Sequence, residues 1–427
     1  MVFDYRSPGS EAETVFRPTW AEISLDAVAA NTKALLRLAA PADLLAVVKA
    51  DAYGHGAVEV SRTVLEAGAT WLGIAALEEA IELRRAGITA PILNLSPSMP
   101  SQADTIVGSD VASAVFDLET TEALAAAGRR HGRPARAHLK VDTGMGRMGV
   151  TPDQAGADFA LRLSRLEGLE LEGVYTHFSS SDEADPTFTR QQAALFEGFL
   201  ALCAKAGLKF RWRHAANTAG IISHPETRQN LVRVGIGLYG LYPSAEVDPS
   251  RVALVPAMTW KSRLLFVNRV AAGTPVSYNR EFITERPTVV GTLAVGYADG
   301  YRRANTRGRV LVRGASCPVL GRVCMDHIMV GLDAVVGLGD SAAGPGAASV
   351  LDSLVGEETI LLGGGPGVSL PAEELAATCQ TINYEIVSSV SRRVPRVFIR
   401  GGRPVAIRSI LGTAPLGGAA LPGGGPK

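Results

Sequence analysis

Leu44-Leu45-Ala46-Val47-Val48-Lys49-Ala50-Asp51-Ala52-Tyr53-Gly54-His55-Gly56 is an apolar run that stops at one lysine and passes into a loop of Asp, Tyr, His and two glycines. A short apolar run bounded by such a loop reads as a buried strand. Its final lysine is poorly placed for solvation. Burial disfavours the ammonium and lowers its pKa, which makes the side chain a usable amine nucleophile and base, as a Schiff-base lysine requires. A lone lysine at a strand end more commonly snorkels to water, so the choice depends on what the rest of the chain supplies.

Seven further apolar runs follow, and the eight occupy residues 44–49, 71–76, 91–96, 112–116, 137–143, 171–178, 211–217 and 231–237. Helix-like segments at 77–86, 118–131, 152–166 and 188–206 lie between several of them. Strands alternating with helices argue for parallel βα units. Eight such units within about 200 residues fit a closed (β/α)8 barrel better than the alternative, a doubly wound sheet. Beyond Pro256 the pattern becomes strand-rich, at 258–270, 288–296, 309–312, 317–323, 328–332 and 359–363, with one helical segment at 371–379. The expected class is therefore α/β: an N-terminal (β/α)8 barrel over 18–255, then a mainly β C-terminal domain over 256–400. The Gly- and Pro-rich residues 401–427 read as a disordered tail, and the Gly-, Ala- and Ser-rich 337–353 as a surface insertion.

Composition narrows the function classes. The chain has 427 residues, of which 47% are apolar and 20% charged, enough to build a large core. Lys+Arg and Asp+Glu both number 42, so no field attracts nucleic acid or an anionic membrane. Cys203, Cys317, Cys324 and Cys379 form no C-x-x-C pair, so neither a disulfide framework nor a zinc site is expected, and no metal is. Asp4, Glu11 and Glu13 interrupt the N-terminal segment, which does not read as a secretory signal. No run of about 18 apolar residues reads as a membrane span. A cytoplasmic location is the expectation.

In a parallel barrel, reactive groups collect at the C-terminal ends of the strands. Distinctive polar residues of this chain fall there repeatedly. Lys49 ends the first run, Lys140 and Asp142 lie in the fifth, and Arg147 follows it. His177 lies near the end of the sixth, Asn217 and Thr218 close the seventh, and Arg233 lies in the eighth with Gly235 and Gly237 after it. A single strand-end polar residue is usually structural, whereas several on one rim point to a site.

The string Ala46 to Gly56 closely resembles the cofactor-lysine signature of the alanine racemases, pyridoxal-phosphate enzymes built of a barrel and a β domain. His138-Leu139-Lys140-Val141-Asp142-Thr143-Gly144-Met145-Gly146-Arg147 resembles their barrel motif, and Leu231-Val232-Arg233-Val234-Gly235-Ile236-Gly237-Leu238-Tyr239-Gly240 their last-strand motif. His214-Ala215-Ala216-Asn217-Thr218 matches the preceding phosphate-loop segment. The resemblance implies that Lys49 bonds the cofactor and that Tyr53, Asn217, Thr218, Gly235 and Ile236 hold its phosphate. It also implies that Arg147 meets the cofactor's phenolic oxygen and the substrate carboxylate, which an arginine fork suits. Arg233 would face the pyridine nitrogen and leave it unprotonated, a weaker electron sink. Lys140 matches a lysine often carbamylated in the family; a lysine paired with Asp142, or simply solvated, is the plainer possibility.

In the second domain, Val276-Ser277-Tyr278 resembles the motif of the second catalytic base, Gly296-Tyr297-Ala298-Asp299-Gly300 that of a substrate-side tyrosine, and Arg322-Val323-Cys324-Met325-Asp326 that of a substrate-carboxylate contact. Racemisation requires a proton to leave one face and return to the other. The resemblance gives Lys49 one face and Tyr278 the other, with His177 between the tyrosine and Arg233; Met325, Tyr297 and Asp326 become substrate-binding residues. It further implies a head-to-tail homodimer with shared sites, a small amino-acid substrate, and D-alanine supply to peptidoglycan.

The likeness spans roughly 18–398 and has two departures. Arg392 stands where many relatives have a tyrosine before Arg393-Val394-Pro395-Arg396, and Asn279 stands where glycine commonly follows the catalytic tyrosine. Both leave open a broader amino-acid or serine racemase. A fold-related decarboxylase and a pyridoxal-phosphate carrier are the remaining alternatives; Tyr278 with Arg233 argues against the first, and the β domain against the second.

Overall fold

The computed structural model describes residues 17–336, 347–365 and 367–415. By its internal contacts the chain divides into two units, one of Asp26–Pro256 and one that joins the residues before Asp26 to those from Ala257 on.

The first strand, β1 (Thr19–Ser24), corrects a boundary drawn from sequence. Counted there with the barrel, it is a strand of the β unit. Helix α1 (Leu25–Ala39) leads into the barrel strands β2 (Asp43–Val47), β3 (Trp71–Ile74), β4 (Ile92–Asn94), β5 (Val111–Val115), β6 (Ala135–Lys140), β7 (Leu169–Tyr175), β8 (Trp212–His214) and β9 (Leu231–Val234). All are parallel, in the order β8-β7-β6-β5-β4-β3-β2-β9. Arg233 N–H donates to Ala216 O at 3.0 Å across the remaining seam, so the barrel is nearly closed.

The runs are apolar on both faces because one face fills the barrel and the other packs under helices. Leu45, Val47, Trp71, Leu93, Ala112 and Leu231 form the interior layer, with Tyr53, Leu95 and Trp212 against it. Each large side chain so buried contributes about 1.5–3 kcal/mol. The four expected helices are present as α4 (Leu77–Arg85), α6 (Leu118–Arg130), α7 (Gln154–Leu163) and α8 (Thr187–Lys205). Asp117 and Asp153 cap α6 and α7, accepting from Thr120 N at 2.8 Å and Gly156 N at 3.0 Å.

The β unit is mainly antiparallel. Its long strand β10 (Met258–Val270) pairs with β1, with β13 (Thr288–Leu293) and with β17 (Glu358–Gly365). The expected strand 317–323 is shorter, an edge strand at Ala315–Pro318. The expected disorder of 401–427 is also corrected: Arg403–Ser409 pairs antiparallel with Arg396–Arg400 and with Gly412–Pro415, and residues 416–427 lie outside the described residues. Of the expected insertion, 337–346 lie outside them, and Ala347–Asp352 is helical. Among the described residues no helix is long and apolar enough to cross a membrane, and no cluster of His, Cys, Asp or Glu could hold a metal.

Candidate active site

Lys49 stands immediately beyond β2 at the start of the helical turn Lys49–Tyr53. Ala50, Asp51, Ala52 and Tyr53 all have φ between 52° and 55°. Left-handed backbone costs about 1–2 kcal/mol per L-residue, so a run of four must be imposed by its surroundings. The turn closes through Ala52 N to Val48 O (2.8 Å), Gly54 N to Ala50 O (2.9 Å) and Gly56 N to Asp51 O (2.9 Å). Glu79 anchors it from α4: Oε1 accepts from Ala50 N at 2.6 Å, while Oε2 accepts from Ala75 N at 2.9 Å and Ala76 N at 3.1 Å. Burial and then Arg147 lower the Lys49 pKa, against an opposing pull from Glu79.

Tyr53 reaches β9. A Cβ on Gly235 would lie 2.7 Å from the Tyr53 hydroxyl, so only glycine admits the tyrosine there. Burial pushes the Tyr53 phenol up to about 12, leaving it a proton donor near neutrality. Thr218 Oγ1 accepts from Gly235 N at 3.2 Å, and Asn217 caps the short helix Thr218–Ser223 by accepting from Gly220 N at 2.9 Å. Ile236 opens a 3-10 turn directly after Gly235. Tyr53, Thr218, Gly235 and the Ile236 turn thus meet at one end of the site.

A group of cations lies beside them. Arg233 is buried and donates to Thr176 O (2.7 Å), Ala215 O (2.9 Å), His177 Nδ1 (3.1 Å) and His214 Nδ1 (3.0 Å). Burial lowers its pKa to about 10, so it stays protonated. Because arginine only donates, His177 Nδ1 is the accepting nitrogen and the neutral ring carries its proton on Nε2. Burial first, then Arg233, Lys140, Arg147 and Lys49, hold His177 well below the ordinary imidazole range.

Lys140 is 2% exposed, donates among the described residues only to Val141 O at 3.3 Å, and lies 5.0 Å over the Tyr175 ring. Burial and Arg233 lower it to about 7. The plainer expectation for Lys140, a pairing with Asp142, is not what the hydrogen bonds show. Asp142 accepts four backbone N–H groups, from Gly144 (2.9 Å), Met145 (2.8 Å), Gly146 (3.1 Å) and Arg147 (3.0 Å). Its own burial opposes ionisation, but those bonds outweigh it and hold the carboxyl below its usual range. They also set the loop that presents Arg147.

The donor set fits an anionic, carbonyl-bearing cofactor such as pyridoxal phosphate. Lys49, Arg147, Lys140 and Arg233 gather at one rim, and the carboxylates acting on them, Glu79 and Asp142, are occupied by backbone N–H groups. At Gly235 the missing Cβ brings the Tyr53 hydroxyl, a donor that suits a phosphate, against the strand end.

Tyr278, Tyr297, Met325 and Asp326 lie in the β unit, on three loops bonded to one another. Ser277 Oγ donates to Arg322 O at 2.6 Å, Tyr297 N to Cys324 O at 3.0 Å and Ala298 N to Met325 O at 3.0 Å. Tyr278, Tyr297 and Met325 are exposed. The Asp326 carboxylate accepts from Arg393 Nη2 at 2.7 Å, and Arg393 also lies 3.7 Å from Asp299. Asn279 has φ 61°, a conformation that glycine adopts freely and asparagine tolerates best among the others, so this departure is a backbone substitution. Arg392 is exposed.

Four residues were missed from sequence. His138 and His214 lay inside the quoted motifs without a role, and their place in those motifs was the available signal. Glu79 and Glu172 carried none.

Two family models match this chain: the alanine racemase N-terminal domain over residues 23–243 and the alanine racemase C-terminal domain over 257–398. An alanine racemase of Symbiobacterium thermophilum is 46% identical over 386 residues, covering 90% of this chain and 97% of that one. One of Desulforamulus reducens is 44% identical over 384 residues, covering 90% and 99%. The solved alanine racemase of Clostridium difficile 630 superposes with a TM-score of 0.87 at 36% identity, covering 93% of this chain and all of that one.

Proposed function

The chain belongs to the alanine racemase family, an amino-acid racemase by that membership, and on this premise we propose that it interconverts L- and D-alanine with pyridoxal phosphate by a two-base mechanism. The observation that carries the reading is Lys49: an amine made less basic by burial and by Arg147, at a strand end, beside a cradle for an anion.

Tyr53, Asn217, Thr218, Gly235 and Ile236 would hold the cofactor's phosphate, Lys49 its aldehyde carbon, Arg147 its phenolic oxygen and Arg233 its pyridine nitrogen. When bound, the group supplies an electron sink that acidifies the substrate α-carbon. Arg147, with the Met325 backbone N–H, grips the substrate carboxylate, while Tyr297 and Asp326 border the substrate. Lys49 moves the proton at one face of the α-carbon, and Tyr278 at the other. His177, kept neutral by burial and by its cationic neighbours, adjusts the tyrosine's proton, and its accepting Nδ1 on Arg233 supports that role. The barrel, drawn from sequence as 18–255, carries the cofactor lysine, and the β domain over 256–400 the second base. The family resemblance assigns this base to the partner subunit's Tyr278, in a head-to-tail homodimer with shared sites.

Lys140 is carbamylated in this reading. Its amine, lowered to about 7, is substantially unprotonated at neutral pH and able to take up carbon dioxide, and the resulting anion would stand among Arg233 and Arg147. The reaction supplies D-alanine for peptidoglycan from the cytoplasm. The test is chiral chromatography of single L-amino acids incubated with the purified, cofactor-loaded protein. D-alanine should dominate. Comparable D-serine would move the reading to a broad racemase, and no D-product with cofactor bound would overturn it.

A further inference from the structure

Arg233 has a second side, turned away from His177. Its Nη1 donates to His214 Nδ1 at 3.0 Å, and His214 Nε2 lies 2.8 Å from His138 Nδ1. His138 Nε2 lies 3.6 Å from Glu172 Oε1, an ion-pair contact longer than a hydrogen bond, and neither atom has a hydrogen-bond partner among the described residues. Arg136 is 3.8 Å from the same Glu172 oxygen and 3.2 Å from Asp110. His214 and His138 are fully buried, and Arg233 and Glu172 nearly so. A file of polar side chains therefore runs from the site into the barrel interior.

One proton order fits this file. Arginine has donors only, so His214 Nδ1 accepts and its proton sits on Nε2. That proton can only be given to His138 Nδ1, which leaves the His138 proton on Nε2, facing Glu172. A carboxylate has acceptors only. A proton on His138 Nδ1 would require an imidazole at 214 with no proton, or a broken bond to Arg233. A donor-only group at one end and an acceptor-only group at the other thus orient every proton from Arg233 toward Glu172.

The packing is built for this geometry. The Tyr175 ring stacks on His214 with centroids 4.7 Å apart and planes 1° apart, and the edge of Trp71 meets His138 at 5.3 Å. A Cβ on Gly173 would fall 2.3 Å from His138 Nδ1, so glycine is required on the neighbouring strand to admit the ring. Arg233's own bonds go to two carbonyls and two imidazoles. Buried charge without a counter-charge is costly, and through the two rings Glu172 provides one.

We propose that Glu172, His138 and His214 are positioning residues that hold Arg233 in one orientation through two hydrogen bonds and a terminal carboxylate contact that share a single proton order. The consequence for turnover rests on the role proposed for Arg233; the proton order does not.

Imidazole nitrogen NMR of the full chain without cofactor tests the order directly. His214 and His138 should both be neutral Nε2–H tautomers across roughly pH 6–9, without titrating in the ordinary imidazole range. Glu172→Gln brings a competing donor to the far end. It should mix the tautomers of both rings and lower kcat roughly 10- to 100-fold, as removal of an orienting partner commonly does, with KM less affected. Glu172→Asp, still acceptor-only, should recover the single order. A charged ring or an Nδ1–H tautomer in the unaltered protein overturns the proposal even if no variant folds. So does Glu172→Gln with tautomers and kcat unchanged. A protein with the expected tautomers but no racemase activity would instead overturn the functional reading.

Discussion

In the barrel, Arg233, His214 and His138 are almost wholly buried and linked by side-chain bonds, and Lys140 is buried over the Tyr175 ring. In the β unit, Tyr278 is 64% exposed, Met325 52% and Tyr297 40%, on loops held to one another by backbone bonds and by the Ser277 hydroxyl. The first region organises charge within itself, through desolvation and fixed donors. The second presents reactive and apolar side chains to whatever meets that surface, while its loops are rigid beneath them. Gly296 shows how tightly, since a Cβ there would fall 2.3 Å from Met325 O. In the barrel, altering one group therefore changes its neighbours' protonation. In the β unit, a side chain can be changed with little effect on its own fold.

The largest expected effect follows from Lys49. Lys49→Ala should lower racemisation roughly 10,000-fold or more, with the visible absorption of lysine-bound cofactor lost. Tyr278→Phe should cost roughly 100- to 10,000-fold, the range for a general acid–base group, while that absorption and the melting temperature persist. If both variants lose the cofactor, the two regions do not divide the work as proposed.

Gly235→Ala should come next. Its new Cβ meets the Tyr53 hydroxyl, and overpacking of this kind costs about 1–3 kcal/mol. Titration with pyridoxal phosphate should show weaker binding, and weaker binding than that of an alanine variant at an open position away from the site such as Gly198.

Lys140 gives a pH signature peculiar to the barrel. Its pKa is about 7 in the fold against an ordinary 10.5, so between these only the unfolded chain holds the proton. Stability should therefore fall as pH drops from about 10.5 to about 7, with the loss complete below. Melting curves in carbon-dioxide-free buffer should follow that slope, and bicarbonate should flatten it if Lys140 is carbamylated. Lys140→Met should be flat in both. The smallest effect belongs to Asp117→Ala, which removes a helix cap and should cost about 1 kcal/mol in denaturant unfolding, leaving turnover unchanged.

The strand ending at Lys49, the repeated βα units and β10 were legible because their periodicity is local. β1 was not, because a six-residue strand that pairs with Met258–Val270 and Arg396–Arg400 is stabilised by residues far away in sequence. Arg403–Ser409 was misread for the same reason: its composition suggests a frayed tail, while its pairing with Arg396–Arg400 holds it. Within the site, Tyr53 and Gly235 could each be picked out by motif. That one needs the other to be a glycine became visible only in space.

Sequence by itself determined the class of fold, the lysine at the strand end and the identity of the groups around it, since apolar spacing and residue chemistry are properties of the chain. Tertiary structure alone decided their protonation and order. Lys140 near 7, a neutral His177 accepting from Arg233, and the file from His214 to Glu172 all arise from desolvation and from which donor faces which acceptor. Those depend on distances between strands that no local pattern encodes.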